Sequence, residues 1–292
     1  MVFSSPTTMM ADDLNTLSDT QIHELNQQAI EESANERSSV SVLLVKDVKP
    51  LYVLFDEYRN NIGFVRQIKW LITESEFGGI YQMKGDGNCF YRAFGFAYVK
   101  SLTSRNQASR FSTMQQFEST FSLLVNHDMD KDIIQDFFEP FHNLVRRAIG
   151  YGGTTLTLSL QDLFESFNDP ETSNSIVMYL RLLASTFLKW TEMSMSNFCT
   201  QEIESFGKDA DHLQITALCK VLNTSLDVVY LDGQQEAGLT GLTSVTDTYD
   251  EVINSIESRP CNVISFKDDV STHYIGSFLY RPGHYDLLTV KS

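Results

Sequence analysis

The sequence is short of basic residues. Lys and Arg together number 22 against 38 Asp and Glu, which leaves a formal net charge of −16 at pH 7. A general nucleic-acid-binding protein presents a basic footprint to the phosphates, so this balance argues against that class. The acidic excess favours either simple solubility or a partner with a basic surface, and composition alone leaves both readings open.

Cysteines are few, and targeting segments are missing. None of the four cysteines forms a Cys-x-x-Cys pair, which argues against a zinc knuckle. The opening stretch MVFSSPTTMMADDLN lacks the basic and apolar regions of a secretory signal, and no run approaches the 18 apolar residues of a membrane span. We therefore expect free thiols, no membrane partner and a cytoplasmic location, with the nucleus as a second compartment.

The pattern of apolar residues changes along the chain. Apolar residues make up 42% of 292 positions, enough to bury the core of one large domain or two small ones. Helical spacing recurs up to about residue 222, and strand-like alternation follows in SLDVVYLDG, NVISFKD and THYIGSFLYRPGHYDLLTV. This order predicts an α+β fold, with a helical mass packed on a small, mostly antiparallel, twisted sheet.

Local signals suggest where several elements begin and end. Residues 1–38 read as a flexible N-terminal arm whose helix, 18–37, has only a narrow apolar stripe, so it is either a marginal surface helix or a docking arm. A helix is predicted over 63–79, ending at Gly78-Gly79. Ser159 and Asp162 have the spacing of a capping box at the start of another. Residues 39–292 would form the main domain.

The segment MKGDGNCFYRAFGFAYVK, residues 83–100, places a cysteine between a turn-forming loop and an apolar helix. Gly85 to Asn88 are residue types that tolerate turn conformations, and the apolar spacing after Cys89 is that of a buried helical face. Cys89 is therefore predicted in the first turn of a core helix. The positive end of a helix stabilises a thiolate, and loop amides beside it could hold an oxyanion. A packed core thiol is the alternative.

A nucleophilic cysteine needs a base, and His284 is the best candidate of six histidines. In LYRPGHYDLL, Pro282-Gly283 fit a tight turn, and strand alternation puts His284 and Asp286 on one face. Asp286 could accept a hydrogen bond from Nδ1 and leave Nε2 facing the thiol. From spacing alone, a surface hairpin with a chance His-x-Asp is equally open. The other histidines lie in polar or weakly anchored segments: His23, His127, His142, His212 and His273.

Four segments in order resemble the otubain subfamily of the OTU cysteine proteases: GDGNCFYRAFGF, SFNDPETSNSIVMYLRLLASTFLK, FCTQEIESFGKDADHLQITALCKVLNTSLDVVYLDG and LYRPGHYD. The likeness covers the chain from about residue 40 to its end. It implies a papain-like OTU catalytic domain over 39–292 and a thiol hydrolase that cleaves isopeptide bonds between ubiquitin and lysine. Ubiquitin and polyubiquitin chains are then the expected partners, with ubiquitin-conjugating enzymes as further ones, and no cofactor or metal is expected.

The resemblance also implies roles for individual residues. Cys89 matches the nucleophile, His284 the general base and acid, and Asp286 the residue that orients the histidine. Asp86 matches the aspartate of the oxyanion loop, where its backbone N–H is expected to matter more than its carboxylate, and Gly87 and Asn88 would support the same pocket.

Two segments, 188–199 and 233–258, depart from the otubain pattern. The resemblance carries a tendency towards the chain linkage that targets proteins to the proteasome, and these departures leave that preference uncertain for this chain. A regulator that binds ubiquitin or a conjugating enzyme without cleavage is the alternative function.

Overall fold

A computed structural model describes residues 43–104, 110–127, 129–151, 158–191, 195–233, 255–267 and 273–291. The N-terminal arm and its helix over 18–37 lie outside the described residues, as do most of the predicted polar segment 233–258 and part of the segment 188–199. No helix among the described residues is long and apolar enough to cross a membrane.

In the part of the chain that the structure describes, six strands form one sheet in the order β1-β2-β6-β5-β3-β4. Their bounds are Lys49–Pro50 (β1), Phe77–Tyr81 (β2), Thr224–Tyr230 (β3), Asn262–Phe266 (β4), His273–Arg281 (β5) and His284–Val290 (β6). Neighbouring strands are antiparallel except β3 and β5, which run parallel. The predicted α+β class with a mostly antiparallel sheet is confirmed, as are the strands predicted after residue 223.

Helices fill most of the chain before β3. They are Val53–Tyr58 (α1), Ile62–Thr73 (α2), Cys89–Leu102 (α3), Arg110–Asn126 (α4), Lys131–Ile149 (α5), Leu160–Asn168 (α6), Pro170–Thr191 (α7), Ser196–Phe198 (α8) and His212–Val221 (α9), with a π-helical turn at Cys199–Ile203. The predicted capping box is confirmed at α6, where Ser159 and the Asp162 side chain satisfy each other's backbone amides.

The two faces of the sheet are covered by different helices. Successive residues of a strand point to opposite faces, and Phe278 and Leu287 enter the larger core with α3, whereas Leu279 and Leu288 pack against α1 and α2. Helix α3 is buried along almost its whole length between the sheet and helices α5, α6 and α7. The residue that opens α3 is therefore fixed from every side.

The predicted helix over 63–79 is wrong in its second half. Helix α2 ends at Thr73, and Gly78 and Gly79 belong to strand β2. These glycines mark a close approach of backbones and not a helix end, because a Cβ at Gly79 would lie 3.0 Å from the Lys49 carbonyl oxygen on β1. Strand β2 runs from this point directly into the loop that carries Cys89.

Candidate active site

Cys89 is the first residue of α3, as the sequence predicts. Asn88 immediately precedes the helix, with backbone angles of −109° and 3°, and the side chain of Cys89 is buried. The first amides of a helix have no partner within it, and the helix dipole favours an anion there. Among the described residues neither the Cys89 N–H nor the Gly87 N–H has an acceptor. These two N–H groups are therefore available to a bound group at the start of α3.

The hairpin of β5 and β6 brings the candidate base to this helix end. Its turn is Pro282-Gly283, with Gly283 at φ 67°, and Arg281 pairs with His284 across the turn, as the sequence predicts. The N–H of Tyr285 donates to Cys89 Sγ at 3.4 Å, across 196 positions of sequence. The residue after His284 therefore touches the thiol, a meeting that spacing alone could not establish.

His284 and Asp286 share one face of β6 and are hydrogen-bonded, but through the other ring nitrogen from the one predicted. Nε2 of His284 lies 2.8 Å from Asp286 Oδ1, and Nδ1 is buried without a hydrogen-bond partner among the described residues. The Met83 amide also donates to Asp286 Oδ1, at 2.8 Å. Because the Met83 amide holds the carboxylate next to Nε2, that nitrogen makes the hydrogen bond to Asp286. Nδ1 then remains available for proton exchange with the thiol.

Buried charges set the protonation of this cluster. Burial lowers the pKa of His284, but the Asp286 carboxylate and the Cys89 thiolate raise it, with a net pKa of about 9. Burial raises the pKa of Asp286, yet Arg281 and then His284 outweigh it and hold that pKa well below its usual range. The imidazole is therefore positively charged and Asp286 negatively charged at neutral pH.

Arg281 was not singled out from the sequence, and it completes the cluster. Its guanidinium is fully buried and pairs with Asp286 through Nη2 and with Glu57 of α1 through Nη1. Its place three residues before a histidine in a hairpin is compatible with any surface arginine. The signal that could have found it is its position at the end of a strand, directly after the apolar and aromatic run 278–280 and before a turn.

The Asp86 carboxylate is committed to shaping the loop. It accepts two hydrogen bonds at 3.0 Å from the buried guanidinium of Arg92 and a third, at 3.1 Å, from the Asn88 amide. The Asp86 N–H donates to the Lys84 carbonyl at 3.1 Å. The carboxylate therefore makes more of the loop's contacts than the backbone N–H does, whereas the resemblance implied the larger part for the N–H.

A second buried arginine, Arg181 of α7, ties this loop to the segment before α9. It donates to the Gly87 carbonyl at 2.9 Å, to Asn88 Oδ1 at 2.8 Å and to the Lys208 carbonyl at 2.6 Å. The Gly207 amide also donates to Asn88 Oδ1, at 3.0 Å. A Cβ on Gly87 would lie 1.9 Å from the Gly207 carbonyl oxygen, so the two backbones are in direct contact.

The remaining cysteines and the other described histidines do other work. Cys199, Cys219 and Cys261 are buried, and burial raises the pKa of Cys219 and of Cys261 to about 12. All four cysteines are free thiols, as the sequence predicts. His212 is hydrogen-bonded to Asp211 and to the Tyr230 hydroxyl. Cys89 is thus set apart from the other thiols by its neighbours.

Comparison with known proteins gives one consistent answer. Residues 35–290 match the family model Peptidase C65 Otubain. Ubiquitin thioesterase OTUB2 from Homo sapiens is 34% identical over 210 residues, covering 68% of this chain and 86% of the relative. Ubiquitin thioesterase OTUB1 from Homo sapiens is 30% identical over 259 residues, covering 84% and 82%. The solved structure of a ceOTUB1 ubiquitin aldehyde UBC13~Ub complex aligns with a TM-score of 0.66 at 25% identity, covering 94% of this chain and 100% of that chain.

Proposed function

The chain belongs to the Peptidase C65 Otubain family, and we propose that it is a cysteine-type deubiquitinase that hydrolyses the isopeptide bond between ubiquitin and lysine. Relatives that cover most of the chain are named ubiquitin thioesterases. The observation that carries the proposal is the assembly of Cys89, at the start of α3, with the hydrogen-bonded pair His284 and Asp286.

Cys89 is the proposed nucleophile and His284 the general acid and base. The Cys89 thiolate attacks the carbonyl carbon of ubiquitin's C-terminal glycine, and the imidazolium of His284 gives its proton to the lysine nitrogen as the C–N bond breaks. Neutral His284 then takes a proton from water. The resulting hydroxide attacks the thioester, and Cys89 leaves as a thiolate. A His284 pKa of about 9 supplies the imidazolium that the first step needs at neutral pH.

The negative oxygen of each tetrahedral intermediate needs donors that are already in place. The N–H groups of Cys89 and Gly87, which have no acceptor among the described residues, are the proposed donors. Asp86 and Asn88 act on this pocket by holding the loop in place. The Asp86 carboxylate accepts a hydrogen bond from Arg92, and the Asn88 side chain accepts one from Arg181. Asp286 orients the imidazole and stabilises its charged form.

Cleavage of a panel of di-ubiquitins, one for each linkage, tests the function. The wild-type chain should cleave at least one linkage, and Cys89→Ala should cleave none while still binding ubiquitin. We propose the linkage that targets proteins to the proteasome as the preferred one, so that dimer should be cut fastest. Equal cleavage by Cys89→Ala would rule out the thiol mechanism, and a different fastest dimer would correct only the linkage.

A second candidate function is restraint of a ubiquitin-conjugating enzyme without cleavage. One solved structure that this chain resembles is that of a ceOTUB1 ubiquitin aldehyde UBC13~Ub complex. Deletion of residues 1–38 separates the two activities. Inhibition of ubiquitin transfer by a conjugating enzyme should fall if the arm contributes, whereas hydrolysis of a small ubiquitin C-terminal amide should persist. Loss of both activities would show that the arm is needed for the fold.

A further inference from the structure

Asp286 contacts a second positive group, the Arg281 guanidinium, in addition to the histidine that it orients. Its Oδ1 accepts from His284 and from the Met83 amide, and its Oδ2 accepts from Arg281. Both carboxylate oxygens therefore accept hydrogen bonds, and the side chain is fully buried. The carboxylate can neither rotate nor take up a proton without losing a bond, so its position is set by Arg281 as much as by His284.

Arg281 is in turn held from outside the β-hairpin. Its second amino group pairs with Glu57, which projects from α1 on the opposite side of the sheet from α3 and is partly open to solvent. Glu57 also receives a hydrogen bond from Gln82 at 3.3 Å. Removing one partner of a buried ion pair normally leaves an uncompensated charge. Loss of any one of Glu57, Arg281 and Asp286 should therefore disturb the other two.

We propose that Arg281 and Glu57 are positioning residues for the hydrolysis, with Arg281 fixing the Asp286 carboxylate against His284 and Glu57 anchoring Arg281 from α1. The inference rests on the proposed function, because it assigns roles in the same reaction. It makes the first helix of the described chain part of the active-site support. In this proposal both residues act through Asp286 and not by contact with the substrate.

The charges around the cluster fix the direction of the effect. Against the effect of burial, the charges of Asp286 and Cys89 raise the pKa of His284. Burial raises the pKa of Asp209, and the charge of His284 opposes that rise. Arg281 feels Asp286 and Glu57, with Tyr58 beside them. In Glu57→Gln the positive charge of Arg281 is no longer shared between two carboxylates. The potential at His284 becomes more positive, so the imidazolium should lose its proton at lower pH.

The test is the pH profile of kcat/KM for Glu57→Gln, with Asp56→Asn as matched control. Asp56 precedes Glu57 in α1 and is exposed, so it undergoes the same loss of charge without facing Arg281. The alkaline limb should move to lower pH by about half a unit or more in Glu57→Gln and stay in place in Asp56→Asn. The His284 titration followed by NMR should move in the same direction. Superimposable profiles and NMR titrations would overturn the role of Glu57.

Arg281→Lys tests the other half of the proposal. A lysine keeps the charge but cannot present two amino groups in a fixed fork to two carboxylates. We expect kcat to fall by roughly 10- to 100-fold with KM nearly unchanged, by analogy with the groups that orient metal-bound histidines. Full kcat in a folded Arg281→Lys would overturn the role of Arg281. Because wild-type cleavage and its loss in Cys89→Ala are measured first, failure of the proposed function is distinguished from failure of this inference.

Discussion

At the scale of single residues, the site depends on a histidine that stays charged although it is buried. Burial alone would favour the neutral imidazole, and only the adjacent carboxylate and thiolate reverse that preference. The reversal serves the proposed reaction, because the first proton transfer is from the imidazolium to a leaving amine. It also means that His284 and Asp286 titrate as a coupled pair.

We expect the His284 imidazolium to be weakened by removing either negative neighbour. In the wild-type chain it should titrate with a pKa of about 9. Cys89→Ala and Asp286→Asn should each lower that pKa, because each removes a charge that stabilises the protonated ring. NMR of the imidazole nitrogens measures it directly. The ring of His142, which pairs with Glu118, provides an internal control. Its signals should be the same in the two variants as in the wild-type chain.

The sign of this effect sets the pH range of activity. The imidazolium is present below its pKa and lost above it, so kcat/KM should decline as pH rises through about 9. An alkaline limb that begins near the ordinary histidine pKa of about 6.5 would contradict the proposed charge arrangement.

At the scale of elements, the catalytic loop is set by contact between two loops. Gly87 has φ 71° and Gly207 has φ 80°, both in the left-handed region that favours glycine. Only Gly87 is also closed in, because a Cβ there would overlap the Gly207 carbonyl, whereas a Cβ on Gly207 would meet nothing nearer than 3.5 Å. The two glycines therefore separate backbone strain from steric contact.

Gly87→Ala should damage activity far more than Gly207→Ala. Both should lose about 1 kcal/mol of unfolding free energy from the left-handed conformation. Gly87→Ala must also displace a backbone by more than 1 Å beside the nucleophile, and displacements of that size can lower rates by about 100-fold. Urea denaturation and kcat/KM, measured on both variants, check this. Equal kcat/KM values in the two variants would show that the contact between the loops is not needed for catalysis.

Elements whose signal is local could be predicted, and those that depend on distant partners could not. The capping box at Ser159 and the Pro282-Gly283 turn are determined by neighbouring residues, and both were predicted. Strand β2 was missed because Gly78 and Gly79 read as a helix end. Glycine is needed at these positions because β1 and β6 approach the backbone of β2 closely, and no local sequence pattern shows that approach.

At the scale of the whole molecule, the site is assembled across the full length of the described chain. The nucleophile comes from α3, the base from the last hairpin, and the charge that holds Asp286 is anchored on α1. The residue types at the centre of the site could be named from motifs and resemblance. The three buried arginines that position them, Arg92, Arg181 and Arg281, could not, because arginines are normally exposed and only tertiary contacts show that these are not.

The net charge of −16 is the other property of the whole molecule, and it predicts a salt dependence. The tail of ubiquitin carries arginines, so an acidic enzyme should attract it over distances that salt screens. We expect kcat/KM for a ubiquitin substrate to fall by roughly tenfold between ~20 mM and ~300 mM NaCl, mainly through the association rate. Hydrolysis of a short neutral thioester should change little over the same range. If both substrates respond equally, salt acts on the charged site itself. If neither responds, the acidic surface serves solubility alone, which is the reading that composition left open.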